Sequence, residues 1–263
     1  MLIAGVGDVH GRWREALALV DAACAKAGVA ASELSAILQV GDAEPQRTQA
    51  EADLVPGPAK YRKLGDFHEV VDGEIVFPAP LYFIAGNHDP FPALDANGGL
   101  VGGGGVWGPN VTYLGRAGIA EIDGLKVAFL SGIHGARTFR EAGEGKARAA
   151  VGKRAGHYTP AELAAAGEAL AQGALVLIAH DWPTGVSEVS RFGVTGDENI
   201  RALIEEGQPL LSLHGHMHRP ESAVIGETRV ECLAIVGYHS GDPLSAVGLW
   251  DIDPAGRAVR RLA

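Results

Sequence analysis

The chain has 263 residues, 47% of them hydrophobic, and its 22 basic against 32 acidic side chains give a formal net charge of −10. That length supports one large core, and the negative balance works against broad electrostatic binding to nucleic acid. No apolar run approaches the roughly 20 residues that span a bilayer, and Leu2 to Val6 lacks the basic flank of a secretion signal, so the expectation is one domain over residues 1–263, cytoplasmic, with no membrane partner and no evident obligate protein partner.

Leu2 to Val6 reads as a buried strand that runs into Gly7-Asp8-Val9-His10-Gly11, where glycines let the chain turn and expose Asp8 and His10. Residues two apart on an extended chain project to the same side, so a carboxylate and an imidazole point together. Arg12 to Val29 carries apolar residues at helical spacing, with Gly28 as a stop. Leu34 to Val40 is a second buried strand, ending in Gly41-Asp42-Ala43-Glu44-Pro45. A helix is expected around Arg47 to Leu54, a break at Pro56-Gly57-Pro58, and a helix-like patch over Lys60 to Val70. Pro80 to Ala85 is the third strand, followed at once by Gly86-Asn87-His88-Asp89-Pro90.

The glycine-crowded segment Gly98 to Gly108 reads as a loop, with no phosphate-binding motif in it. Val111–Leu114, Ile119–Ile122 and Val127–Ser131 read as strands, the last two joined by an Asp123-Gly124 hairpin turn, together an antiparallel extension of the sheet. His134 to His157 is polar and basic; it is either a grip for a polyanion or a solvated loop. Thr159-Pro160-Ala161-Glu162 has the N-cap, the Pro at N1 and the early acid of a helix start. Ala174–Ala179 then delivers His180-Asp181-Trp182-Pro183, and Leu210–Leu213, after a short helix over Asn199–Glu206, delivers His214-Gly215-His216-Met217-His218. Asp181 and Trp182 either orient His180 or pack beneath it, and Arg12 either reaches the site or lies on the surface. Strands and turns fill the tail from Val224 to Val259. Cys24 and Cys232 read as buried free thiols.

Function in an open α/β sheet gathers beyond the carboxyl ends of the strands, and all five clusters fall there. Six of the ten histidines, His10, His88, His180, His214, His216 and His218, occur at these ends. Imidazole, carboxylate and one amide suit a borderline transition metal, and the absence of clustered cysteines argues against structural zinc. There are ligands enough for two divalent ions, Mn²⁺ foremost with Fe or Zn as alternatives. Two such ions with Asp8 and Asp42 leave a net positive pair suited to a phosphate ester and a bridging hydroxide.

The ordered set Asp8-Val9-His10, Gly41-Asp42, Gly86-Asn87-His88-Asp89, His180 and Gly215-His216-Met217-His218 resembles the calcineurin-like metallophosphoesterase superfamily. The resemblance implies an α/β fold, a two-sheet β-sandwich flanked by helices. It implies Asp8, His10, Asp42 and His218 on one metal, and Asp42 as a bridge with Asn87, His180 and His216 on the other. It also places His88 over the substrate; because His88 follows Asn87 directly and completes neither ligand set, it reads as the general acid, with Asp89 orienting its imidazole and His214 the next candidate. Ala50 to Leu54, Ala59 to Arg62, Trp107 to Gly115 and His180 to Pro183 are similar to RNA lariat debranching enzymes, which open 2′,5′-phosphodiesters. Those enzymes commonly have Cys where this chain has Asp8, and they carry a long C-terminal extension. The implied partner is a phosphodiester of a nucleotide, RNA or DNA. The alternatives are a protein or small-molecule phosphomonoesterase and a non-catalytic scaffold. Against a protein phosphatase stands the second motif, Gly41 to Arg47, which lacks the Gly-Asp-x-Val-Asp-Arg-Gly pattern of such enzymes.

Overall fold

A computed structural model describes residues 1–96, 103–187, 195–237 and 241–263. Strand β1 (Leu2–Val6) leads to helix α1 (Trp13–Ala27), and strand β2 (Ala36–Gln39) follows. Two short helices, α2 (Gln49–Ala52) and α3 (Phe67–Val71), precede β3 (Leu81–Phe83) and α4 (Phe91–Ala96). Next come β4 (Gly103–Gly108), β5 (Val111–Gly115), β6 (Ala117–Ile122) and β7 (Leu125–Leu130). Helices α5 (Ala136–Gly143) and α6 (Pro160–Ala171) lead to β8 (Val176–Ala179), α7 (Glu198–Gly207) and β9 (Leu211–His214). Strands β10 (Glu221–Ile225), β11 (Thr228–Cys232), β12 (Val247–Asp253) and β13 (Ala258–Arg261) complete the order.

Among the described residues the strands form two sheets, ordered β13-β12-β1-β2-β3-β5-β4 and β10-β11-β9-β8-β7-β6. The middle of each is parallel, and the edges are antiparallel. Side chains alternate faces along a strand, so each parallel strand feeds two cores. Ile3, Leu38, Ile178 and Leu213 point between the sheets, together with Trp250. Ala4 and Ile37 instead face α1 through Trp13, Ala16 and Val20, while Ala128, Leu177 and Ala179 face α6 and α7 through Ala166, Ile200 and Ile204. The result is the expected α/β architecture, a two-sheet β-sandwich with helices on both outer faces. Both cysteines are buried and unpaired, as read from the sequence. No helix among the described residues is long and apolar enough to cross a membrane.

The structure departs from the sequence reading in four places. Part of the expected glycine loop is strand β4, antiparallel to β5 with an irregularity between Val106 and Gly108; residues 98–102 of that loop lie outside the described residues. Glycine is what the pairing requires at Gly104, where a Cβ would stand 2.4 Å from the Leu114 carbonyl oxygen. Second, β5 to β7 do not extend one sheet. The chain leaves the first sheet after β5 and opens the second with the β6–β7 hairpin. Third, the helices expected over 47–54 and 60–70 shrink to α2 and α3. Fourth, the basic segment after His134 is not loop throughout: it builds α5, and several of its charges are met by neighbouring acids. Arg137 donates to Glu141 at 2.9 Å, Arg154 also pairs with Glu141, and Arg148 donates to Glu162 at 2.7 Å. The helix start at Thr159 is as read, with Thr159 and Glu162 capping each other ahead of α6.

Candidate metal centre

The carboxyl ends of β1, β2 and β3 in one sheet meet those of β8 and β9 in the other, and the five sequence clusters come together there. Backbone hydrogen bonds knit the loops. The N–H groups of Val9 and His10 donate to the Asp42 carbonyl at 3.1 and 2.9 Å, and Gly11 donates to Ala43 O at 3.2 Å. Gly215 N–H donates to His180 O at 3.1 Å, and His216 N–H donates to both Asp8 oxygens at 3.1 and 3.0 Å. His10, Asp42, Glu44, His216 and His218 all adopt left-handed backbone, with φ of 45°, 49°, 45°, 68° and 59°. Such residues cost of order 1 kcal/mol or more each, and they cluster where side chains must be aimed rather than merely buried.

Asp8, His10, Asp42 and His218 each bring one donor atom within 4.8 Å of the others, and Asp42, His180 and His216 form a second such group. His218 Nε2 lies 3.1 Å from Asp8 Oδ2 and 3.2 Å from His10 Nε2. Asp42 Oδ2 lies 3.7 Å from His10 Nε2 and 3.4 Å from His180 Nε2, so one carboxylate faces both groups. Three atoms here, Asp42 Oδ2, His180 Nε2 and Asn87 Oδ1, are buried without a hydrogen-bond partner. Leaving such groups bare costs about 1–3 kcal/mol each, and a cation is the partner their shared chemistry fits. The backbone also orients His180: Nδ1 donates to the Val40 carbonyl at 2.9 Å, so Nε2 is the nitrogen that faces the cluster and would carry the lone pair once its proton is displaced.

Glycine makes this approach possible. A Cβ on Gly86 would stand 2.2 Å from Asp42 Oδ1 and 2.5 Å from His180 Nε2, and one on Gly215 would stand 2.1 Å from Asp8 Oδ1. The change Gly86→Ala is therefore expected to push the shared carboxylate away from the imidazole and to lower the amount of metal the purified protein retains. Circular dichroism should remain that of the folded chain. Undiminished metal content in that variant would mean that the cluster has slack that the distances do not suggest.

The charges in the cluster oppose one another. Burial favours the neutral form of His10, but its hydrogen bond with Glu44 and the carboxylates of Asp42 and Asp8 raise it from 6.5 to about 9. Burial is likewise overcome at His180, which Asp42 and Asp8 raise to about 10. Asp42 is held well below the usual carboxylate range, because the imidazoles of His180, His10 and His88 outweigh its burial. The two imidazoles are thus protonated at neutral pH when no cation is present. Their stabilising contribution to the metal-free fold is complete below the unfolded value of 6.5 and is lost as pH rises through about 9 to 10. Metal uptake runs the other way, since a cation must displace those protons. Loading at pH 7 is expected to release about two protons per chain, one from each of these imidazoles, and metal affinity should climb with pH over the window in which the metal-free fold weakens. Titration with Mn²⁺ in unbuffered solution reads the first, and urea unfolding against pH reads the second. Uptake with no proton release would contradict this account.

The remaining predicted residues have distinct positions. The His88 ring stands edge-on to that of His10 at 5.3 Å, with its backbone N–H on Asp42 Oδ1 at 2.8 Å. Asp89 is fully buried, and its carboxylate accepts from the N–H groups of Glu44 and Gly86, both at 2.6 Å, and of Ala43 at 3.3 Å. It ties the second loop to the third rather than reaching toward an imidazole. His214 is buried, with Nδ1 on the Asp181 carbonyl and Nε2 beside Ser212 Oγ, both at 2.7 Å, and burial pushes it down to about 4. It is a core histidine, unsuited to donating a proton to a substrate. The Asp181 carboxylate accepts from the backbone of His134 and Trp182, and the Trp182 side chain is buried in the core. Arg12 lies 3.8 Å from Glu15 in the first turn of α1. Glu44 was passed over in the sequence; its Oε1 lies 2.7 Å from His10 Nδ1, and the only signal for it was a second acid two residues beyond Asp42.

Two mixed sheets whose carboxyl ends share a carboxylate–imidazole cluster have the frame of an α/β metallophosphoesterase. Comparison with known proteins bears this out: the calcineurin-like phosphoesterase family model matches residues 1–220, and the chain belongs to that family, whose members use divalent metals. Among curated proteins it is similar to the lariat debranching enzyme of Entamoeba histolytica, at 27% identity over 90% of this chain and 70% of that one. It is also similar to that of Drosophila melanogaster, at 26% identity over 86% of this chain and 44% of that one. The chain thus spans less than half of the fly enzyme. Among solved structures, a protein of Thermus thermophilus aligns with a TM-score of 0.53 at 14% identity, over 99% of this chain and 97% of that one. GAP50, the anchor in the inner membrane complex of Plasmodium, aligns with a TM-score of 0.51 at 11% identity, over 95% and 80%. These two likenesses are of fold alone.

Proposed function

We propose that residues 1–263 act as one domain, a cytoplasmic two-metal phosphodiesterase that hydrolyses a nucleotide or nucleic-acid phosphodiester, with a 2′,5′ linkage the first to test. The observation that carries this reading is Asp42, whose buried, unpartnered Oδ2 faces two ligand groups at once. Asp8, His10, Asp42 and His218 would hold one cation, and Asp42, Asn87, His180 and His216 the other, with Mn²⁺ the first candidate. When bound, such a pair polarises the phosphoryl oxygens and supplies an activated water at neutral pH. The chain's own residues do the rest. Asp42 sets the spacing of the two ligand groups, the Val40 carbonyl holds the His180 tautomer, and Asp89 keeps the Asn87-His88 loop against the Asp42 loop. An imidazole nitrogen of His88 gives its proton to the leaving oxygen. The names of the relatives in Entamoeba and Drosophila support a diester, and a 2′,5′ one in particular.

A panel on Mn²⁺-loaded protein tests the substrate class: 2′,5′- and 3′,5′-dinucleotides, a nucleoside monophosphate and a phosphopeptide. The diesters are expected to turn over at least tenfold faster than the other two. A preference for the phosphopeptide or the monophosphate would replace this reading with that of a phosphomonoesterase.

A further inference from the structure

We infer that Glu44 is a positioning residue for two imidazoles at once, holding His10 as a metal ligand and His88 as a proton donor. The inference rests on the metal-centre reading above. Glu44 Oε1 lies 2.7 Å from His10 Nδ1. A carboxylate accepts, so the proton sits on Nδ1, and Nε2 is left to face His218 at 3.2 Å and Asp42 at 3.7 Å. The ring of a ligating histidine is held in this way wherever its outer nitrogen meets a carboxylate or a carbonyl. His180 uses the Val40 carbonyl for the purpose; His10 uses Glu44.

His88 lies close to the same side chain. One donor atom from each of His10, Glu44 and His88 lies within 4.8 Å of the other two, and the two rings stand edge-on. Asp89, the neighbour of His88 in sequence, instead directs its oxygens to backbone amides. The placement of Glu44 is built rather than incidental. Its relative exposure is 8%, its backbone is left-handed at φ 45°, its N–H is held by Asp89 at 2.6 Å, and the carbonyl of the following Pro45 accepts from Trp107 Nε1 at 2.7 Å. A solvated surface acid has no need of that conformation, which costs a non-glycine residue roughly 1 kcal/mol.

Glu44→Ala and Glu44→Gln in the full chain test the inference. Alanine keeps a Cβ at the same φ, so the backbone cost is unchanged and the missing carboxylate is isolated. With Mn²⁺ alone as the probe in calorimetry, Glu44→Ala is expected to weaken one of the two sites by about 10- to 100-fold and to leave the other as it was. Glu44→Gln should recover most of the loss, because an amide oxygen still accepts from Nδ1. At saturating Mn²⁺, Glu44→Ala should lose more kcat on a dinucleotide than on a nitrophenyl diester, since only the dinucleotide relies on a well-placed His88.

Wild-type protein that takes up no Mn²⁺ overturns the metal-centre reading and this inference with it. Two intact sites in both wild type and Glu44→Ala overturn the inference alone, as does an equal weakening of both sites with no recovery in Glu44→Gln. Equal losses of kcat on the two esters overturn the His88 half.

Discussion

Asp42→Asn is expected to deprive the protein of both cations together, not of one. The substitution keeps the size of the side chain and an oxygen to accept the His88 N–H, which now lies 2.8 Å from Oδ1. What it removes is the negative oxygen that faces His10 at 3.7 Å and His180 at 3.4 Å, and it puts an NH₂ in its place. An amide nitrogen bears no lone pair suited to a cation, and its hydrogens meet two imidazole nitrogens. Lewis-acid stabilisation of several kcal/mol disappears with the ions, which is roughly a 10³-fold fall in kcat. Metal analysis of the purified variant decides the matter, with the unfolding midpoint of the metal-free forms as a control on the fold. Retention of one full equivalent would show that the two groups do not share this carboxylate.

The second large effect is chemical rather than structural. His88→Ala removes an imidazole that neither ligand set requires, so metal content should stay at the wild-type level. A proton donor matters in proportion to how badly the leaving oxygen needs one. A ribose alkoxide leaves poorly, and the loss for a dinucleotide should be about 10²- to 10⁴-fold; a nitrophenolate leaves well, and much of the activity on its diester should survive. The comparison of kcat on the two esters carries the result. If both fall by the same factor with metals bound, His88 neutralises phosphate charge instead. In that case the proton comes from elsewhere, and His214 is not the source, since both its nitrogens are engaged in the core.

Which strand ends would matter was legible in the sequence because the signal is local. Asp8-Val9-His10 and Asn87-His88-Asp89 follow directly on apolar runs that can only be buried strands, and the Thr159–Glu162 cap is written in four consecutive residues. What failed to show depended on partners far along the chain. Gly103–Gly108 has no strand-like composition, and only β5 beside it makes it a strand. The hairpin of β6 and β7 is visible locally, yet nothing local says that it pairs with β8 rather than β5. Asp89 follows His88 directly, yet its carboxylate is bonded to the N–H of nearby Gly86 and to those of Ala43 and Glu44, more than forty residues earlier. The Arg137–Arg154 stretch keeps a positive balance, but the partner of Arg148 is Glu162, on the next helix and outside the stretch.

The split of the candidate ligand groups between the sheets carries a mechanical consequence. Asp8, His10, Asp42 and Asn87 extend from the first sheet, and His180, His216 and His218 from the second, so cations shared among them would rivet the two halves of the sandwich at one rim. Away from that rim the halves are held by apolar contacts such as those of Ile3, Ile178, Leu213 and Trp250 and by the Arg261–Glu231 ion pair, with no disulfide between them. Free metal at about 100 times its dissociation constant would add about 2.7 kcal/mol per site to the folded state. Chelation should accordingly do more than silence the chemistry: it should free the rim, lower the melting temperature, and speed amide exchange at the strand ends ahead of the strand centres.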